Sequence, residues 1–144
     1  MAGSAPVRIV AAVIRDAGGR VLLVRKRGSG TFIQPGGKRE PGEAALDTLA
    51  RELHEELGVR LKPESAQALG EFSDDAVHEV GRRVEAQVFI CSVDGAPAPQ
   101  AEIETLAWVD PSAPPEDLVI APLSRNHILP AVLPLPRLRG RGLG

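Results

Sequence analysis

The chain has 144 residues, 43% of them hydrophobic and 25% charged, with a formal charge of −2. That length suffices for one domain with a sizeable core and is too short for two ordinary ones. The near-neutral balance offers no electrostatic case for duplex nucleic acid or an anionic membrane. A single cysteine, Cys91, excludes an intrachain disulfide framework and a cysteine-based zinc site, and no apolar run reaches the length of a membrane span. The default expectation is a cytoplasmic enzyme.

In chain order, 1–6 reads as a frayed terminus. Val7–Ile14 is β-branched and nearly all apolar, which predicts a strand buried on both faces. Asp16-Ala17-Gly18-Gly19 is a turn signal and Arg20–Val24 a second strand, together a candidate hairpin. Arg25, Lys26 and Arg27 place three cations at that strand's end, either solvated or reaching anionic oxygens of a ligand. Thr31–Gln34 predicts a short strand leading into Pro35-Gly36-Gly37-Lys38, where paired glycines permit unusual backbone angles and close approach to the main chain.

Pro41-Gly42 breaks the chain before a helix expected from near Glu43 to Leu57, closed by Gly58 as a left-handed cap. Further strands are expected over Ala68–Ser73, Arg83–Val93 and Ile103–Val109, separated by a polar loop at 74–82 and a proline-containing loop at 95–100. A proline-rich loop at 110–116 follows. Ser124 or a neighbour starts a helix through Asn126–Leu133, although Pro130 threatens its length. The tail from Pro134, with its arginines at 137–141, reads as loose. There is no internal repeat, so one domain is expected over 1–144.

The stretch from Gly37 to Val59 carries the chemistry. On a helix, residues three and four apart share a face, so Glu52, Glu55 and Glu56 form one acidic patch. Leu46, Ala50, Leu53 and Leu57 lie on a different arc, with Leu49 at its edge, and that arc is expected to pack on a core. Three neighbouring carboxylates repel one another, and a hard divalent cation with oxygen ligands, Mg²⁺ above all, would relieve the repulsion. The bland alternative is a charge-laced surface helix.

The spacing argues against that alternative. Gly37 is followed by five residues and Glu43, then by seven residues and Arg51-Glu52-Leu53, then by Glu55, Glu56, Gly58 and Val59. This resembles the Nudix box, the signature of the Nudix hydrolases, at every position. The resemblance implies an α/β (α+β) fold, a mixed β-sheet sandwiched between α-helices. It also implies hydrolysis of a nucleoside diphosphate linked to another moiety, with Mg²⁺ or Mn²⁺ as cofactor and a small-molecule nucleotide as substrate.

Carried onto this chain, the resemblance makes Glu52, Glu55 and Glu56 metal-binding carboxylates, joined by the carbonyl of Gly37. Glu52 or Glu55 doubles as general base. Arg51 orients a neighbouring carboxylate, while Glu43 and Gly36 support the site. Family members often add a carboxylate from outside the box, and Glu102 is favoured over Glu104 by its distance from Trp108. Candidate substrate contacts are Arg25, Lys26, Arg27, Lys38, Gln34 and, by a loose alignment, Asn126. His54, His78 and His127 read as surface residues and Trp108 as core.

Features outside the box select the substrate. The chain has no tyrosine, against branches that use one in dinucleoside polyphosphate sites. No proline falls between Pro63 and Pro97, against the ADP-ribose branch. A MutT-like nucleoside triphosphate pyrophosphohydrolase is the expectation, with ADP-ribose or dinucleotide cleavage, or a nucleotide sensor without turnover, as alternatives. Gln34 stands where the family usually has a hydrophobic residue, which leaves specificity for oxidised bases open. Monomer and homodimer are equally open, since the apolar segment Ile128–Leu135 could face a partner or the chain's own core.

Overall fold

The computed structural model describes residues 5–135. The expected loose ends at 1–4 and 136–144, including the arginines at 137–141, lie outside the described residues. At the near end the guanidinium of Arg82 donates to the carbonyl of Ala5, so the chain is tied down by that point.

Two sheets form the framework. One is mixed and four-stranded, in the order β4 (Gly36–Lys38), β1 (Val7–Val13), β7 (Arg83–Ile90), β6 (Gln67–Asp75). Within it β1 and β7 run parallel, and the other pairs are antiparallel. The second is antiparallel, in the order β3 (Phe32–Ile33), β2 (Val21–Lys26), β9 (Ile103–Val109). A two-stranded ribbon pairs β5 (Arg60–Leu61) with β8 (Val93–Asp94).

Strand alternation divides the interior into two layers. Val10, Ala12, Leu22 and Val24 pack with Leu49, Leu53 and Leu57 of helix α1 (Ala45–Leu57). Ala11, Val13, Val21 and Leu23 pack with Ile128, Leu129 and Val132 at the other end of the chain. Apolar side chains pointing both ways are what a strand covered on two faces requires, and this explains the nearly continuous apolar runs of β1 and β2. The expected sandwich of sheet between helices is the observed architecture.

Several expectations need correction. The turn at 16–19 forms, with Ile14 accepting from the Leu22 amide at 3.0 Å and Arg15 bridging Val21. Beyond it, however, β1 and β2 separate into different sheets, because each finds its long partner elsewhere, β1 in β7 and β2 in β9. On α1, Leu49 is fully buried and belongs to the centre of the apolar face, whereas Leu46 and Ala50 lie at its margin. The helix starts at Ala45 rather than near Glu43, and ends on Gly58, whose φ of 70° is the expected left-handed cap.

The late helix is also irregular. Ser124–Ile128 is a π-helical turn running into α2 (Leu129–Val132), so Pro130 falls inside a helical run from 122 to 132 whose hydrogen-bond ladder is already shifted before it. Its apolar residues Ile128, Leu129 and Val132 are buried in the chain's own core. Among the described residues, no helix is long and apolar enough to cross a membrane.

Leu53 joins the α1 seam to the sheet with no exposed surface. Leu53→Ala is expected to lower unfolding free energy by about 2–5 kcal/mol, through lost burial plus a residual cavity; urea denaturation measures it. A cost below about 1 kcal/mol would mean that α1 is not anchored at this position.

Candidate active site

The site is assembled where β4 passes between β1 and the C-terminal half of α1. Gly36 has a φ of 145°, and a Cβ there would strike the backbone of Val10 and Ala11. A Cβ on Gly37 would strike the carboxylate of Glu52. The two glycines therefore have different reasons, one admitting β1 and the other admitting a helix carboxylate.

Glu56 is 4% exposed, and the amide of Gly36 donates to its Oε1 at 3.2 Å. Burial pushes its carboxyl up to about 8, and the neighbouring Glu52 adds to the rise against the opposing pull of the Gly36 amide and Lys26. Burial likewise raises Glu52, although the Arg51 guanidinium pulls the other way. A carboxyl held above neutrality keeps its proton at pH 7, so Glu56 carries one beside Glu52 in the cation-free protein.

Arg51 organises the solvent side of this pair. Its Nε and Nη2 donate to the two oxygens of Glu43 at 2.8 and 2.9 Å, while Nη1 donates to Glu52 at 3.0 Å and Nη2 also reaches the carbonyl of Lys38 at 3.1 Å. Glu43 further accepts from the Glu40 amide and the Thr48 hydroxyl. These bonds, those from Arg51 foremost, hold its carboxyl down at about 2. Arg51 and Glu43 thus form a rigid bidentate brace, in keeping with the orienting role that the resemblance implied.

Glu55 stands apart. Its side chain is 54% exposed and only 3.8 Å from Arg51 at nearest approach. Among the described residues, no three His, Cys, Asp or Glu side chains are grouped as they would be around an ion. The donor set still suits a hard divalent cation, because Glu52 and Glu56 line the same cleft beside Gly37 and Glu56 holds a proton that a cation would displace. Glu55 is the member that would have to turn inward.

A cleft of about 380 Å³ opens from this acidic end. Gly36, Gly37, Glu52 and Glu56 line it, with Lys26, Lys38 and Glu102, and so do Ile33, Gln34, Val84, Leu123 and Ser124. Of the cationic triplet, only Lys26 reaches the cleft. Strand alternation keeps it on the α1 face with Leu22 and Val24, whereas Arg25 is held by the Ser29 carbonyl and Glu104, and Arg27 by the Ala101 carbonyl. Glu102 is 3.9 Å from Lys26 and largely exposed.

Asn126 does not line the cleft; its amide donates to Asp74 at 3.1 Å, beside His127. His78 and Glu79 do line it, although the sequence marked them only as part of a polar loop. His78 bonds Ser29 at 3.0 Å and Glu79 pairs with Lys38 at 3.5 Å, so that loop is fastened across the cleft. Nothing in the local sequence announces these contacts, or that of Ser124, which the π-helical turn presents. Cys91 is buried and its thiol is pushed up to about 12 by that burial, which removes it as a nucleophile.

The model of the NUDIX domain matches residues 5–129 of this chain, a span that includes both sheets, α1 and the cleft. The chain belongs to the Nudix family. It is 30% identical over 125 residues to an uncharacterized Nudix hydrolase of Bacillus subtilis, YvcI, covering 86% of this chain and 75% of that one. It is 30% identical over 103 residues to a MutT-like protein of Streptomyces ambofaciens, covering 71% of this chain but 62% of that longer one. Among solved structures, the Mutator MutT protein of Bacillus halodurans is similar, with a TM-score of 0.68, 28% identity and coverage of 92% of this chain and 85% of that one. This Nudix hydrolase is MutT-like, in a family that uses divalent cations and acts on small nucleotide substrates.

The proton held by Glu56 gives a measurable pH dependence. Unfolded, Glu56 releases its proton near the ordinary glutamate value of 4.5; folded, it holds the proton to about 8. Between those values the native state binds more protons, so stability of the cation-free protein falls as pH rises, by roughly a few kcal/mol in total. Thermal denaturation from pH 4.5 to 8 in EDTA is expected to show that slope, and Glu56→Gln to flatten it. A stability that rises through this window in the wild type would contradict a buried, protonated Glu56.

Proposed function

We propose that this Nudix hydrolase, as one domain over 1–144, is a Mg²⁺-dependent pyrophosphohydrolase of nucleoside triphosphates, releasing a nucleoside monophosphate and pyrophosphate. The observation that carries the reading is the lining of the cleft, which joins Gly36, Gly37, Glu52 and Glu56 of the box and the cations Lys26 and Lys38 to apolar Ile33, Val84 and Leu123. Such a lining suits phosphates, a cation and one base. A volume of about 380 Å³ lies toward the small end of ligand pockets, which favours one nucleotide over a dinucleotide.

A bound divalent cation would supply activated water and charge neutralisation at the phosphates. Glu52, Glu56 and the Gly37 carbonyl are the groups that would hold it. Lys26 and Lys38 each neutralise phosphate charge from the cleft wall. Glu52 is committed to Arg51 and to the cation, so it is poorly placed to accept a proton. Glu55 is solvent-accessible and weakly held, and we assign it the role of general base that removes the water's proton. Arg51 and Glu43 are positioning residues, and Glu102 is a reserve carboxylate at the rim.

A substrate panel of nucleoside triphosphates, ADP-ribose and dinucleoside polyphosphates with Mg²⁺ or Mn²⁺ tests this. Triphosphates are expected to be cleaved, with no cleavage in EDTA and a kcat about 10²–10⁴-fold lower in Glu55→Gln, the range for loss of a general base. Cleavage of ADP-ribose or a dinucleotide alone would overturn the substrate class while keeping the hydrolase. Nucleotide binding without turnover on any member would identify a sensor instead.

A further inference from the structure

The segment 76–82 joins β6 to β7 and forms a strap over the cleft. The Ala76 amide donates to the Arg82 carbonyl at 2.9 Å and the Arg82 amide to the Glu79 carbonyl at 3.1 Å, so the strap is a closed turn. His78 and Glu79 bring it to the cleft wall. His78 bonds Ser29 in the loop after β2, and Glu79 Oε2 lies 3.5 Å from Lys38 Nζ on β4. The other oxygen of Glu79 accepts from Arg82, whose guanidinium is itself held by the Ala5 carbonyl.

Lys38 is fixed by its main chain, which pairs with Ile9 of β1 and accepts from Arg51, while its side chain has Glu79 as its one partner among the described residues. We propose that Glu79 is a built-in competitor for the substrate's phosphate at Lys38. It occupies that cation in the free protein, gives way to phosphate on binding, and so sets the affinity of the site for phosphate charge. The exchange costs little, because Glu79 keeps Arg82 when it leaves Lys38 and no carboxylate is stranded. Across the cleft the strap then retains only the contact of His78 with Ser29. A ligand that brings no phosphate to Lys38 leaves the latch in place. The inference rests on the cleft being a nucleotide site and adds how that site is held shut against ligands of low charge.

Glu79→Gln removes the charge and keeps the size. Its Kd for inorganic tripolyphosphate, by equilibrium dialysis in EDTA, is expected to fall about two- to fivefold below that of the wild type, the worth of a partly exposed ion pair. A residue that merely shaped the strap would weaken binding when changed. Lys38→Met is expected to weaken binding, and Glu79→Gln added to it to give no gain, which separates the contest at Lys38 from a general loss of negative charge. Cleavage of the triphosphate panel is followed separately with Mg²⁺. In the wild type itself, nuclear Overhauser contacts between the Lys38 and Glu79 side chains are expected to vanish at saturating tripolyphosphate, while those between Glu79 and Arg82 remain. That measurement decides the matter even where a variant fails to fold.

Equal or weaker binding by folded Glu79→Gln, a gain that survives in Lys38→Met, or contacts between Lys38 and Glu79 that persist at saturation overturns the inference. So does a failure of tripolyphosphate to bind. Triphosphate cleavage alongside any of these leaves the hydrolase reading intact. Exchange at Lys38 without cleavage of any triphosphate keeps the latch and removes the substrate class. Neither tripolyphosphate binding nor cleavage removes both.

Discussion

The distance between one strand and one helix governs this molecule, and two adjacent glycines set it. Gly36 lets β4 press against the backbone of β1, and Gly37 lets the Glu52 carboxylate settle on the strand's other side. Only at that distance does the Gly36 amide meet Glu56, and only there is Glu56 buried deeply enough to keep its proton near neutrality. A carboxyl taken out of water beside a second carboxylate opposes folding. The seam of Leu49, Leu53 and Leu57 offsets it from below, and the Arg51–Glu43 brace holds it from the solvent side. Local strain at the site is thus tolerated because the surroundings leave the helix nowhere else to go.

The electrostatics follow from the same arrangement. The two cations near the acidic end, Lys26 and Lys38, are each tethered by a single carboxylate at 3.9 and 3.5 Å. Those are loose pairings that a phosphate would readily replace. Arg25 and Arg27, by contrast, are bound to main-chain carbonyls, and Arg25 also stands 5.9 Å from the Phe32 ring centre. Three consecutive basic residues therefore separate into one that faces the cleft and two that hold loops in place.

Much of this was legible in the sequence because it is local. The box spacing is a statement about one helix and the loop before it, so the Glu52–Glu56 pair, the orienting Arg51 and the Gly58 cap could be read without knowing any tertiary contact. Ile103–Val109 also carried its own boundaries. What could not be read depends on partners far along the chain. The divergence of β1 from β2 is decided by β7 and β9, and the burial of Leu49 by the sheet beneath it. Asn126 was expected in the cleft by a loose alignment alone, and its amide is instead taken by Asp74 on β6, a partner 52 residues away. Gln34 was recognised as an oddity of the motif, but its amide donates to the Ala12 carbonyl, 22 residues away.

The parallel pairing of β1 with β7 aligns Val7–Val13 with Val84–Ile90 across the middle of the mixed sheet. On a ribosome, every residue of the box is made before β7 is. The growing chain can close β4 onto β1, but the opposite edge of that apolar strand stays unpaired until a segment more than halfway along the chain arrives. Such an edge invites pairing with the wrong strand, in the same chain or another. The hazard in producing this protein therefore lies in the interval between the synthesis of its motif and the arrival of the strand that shields it.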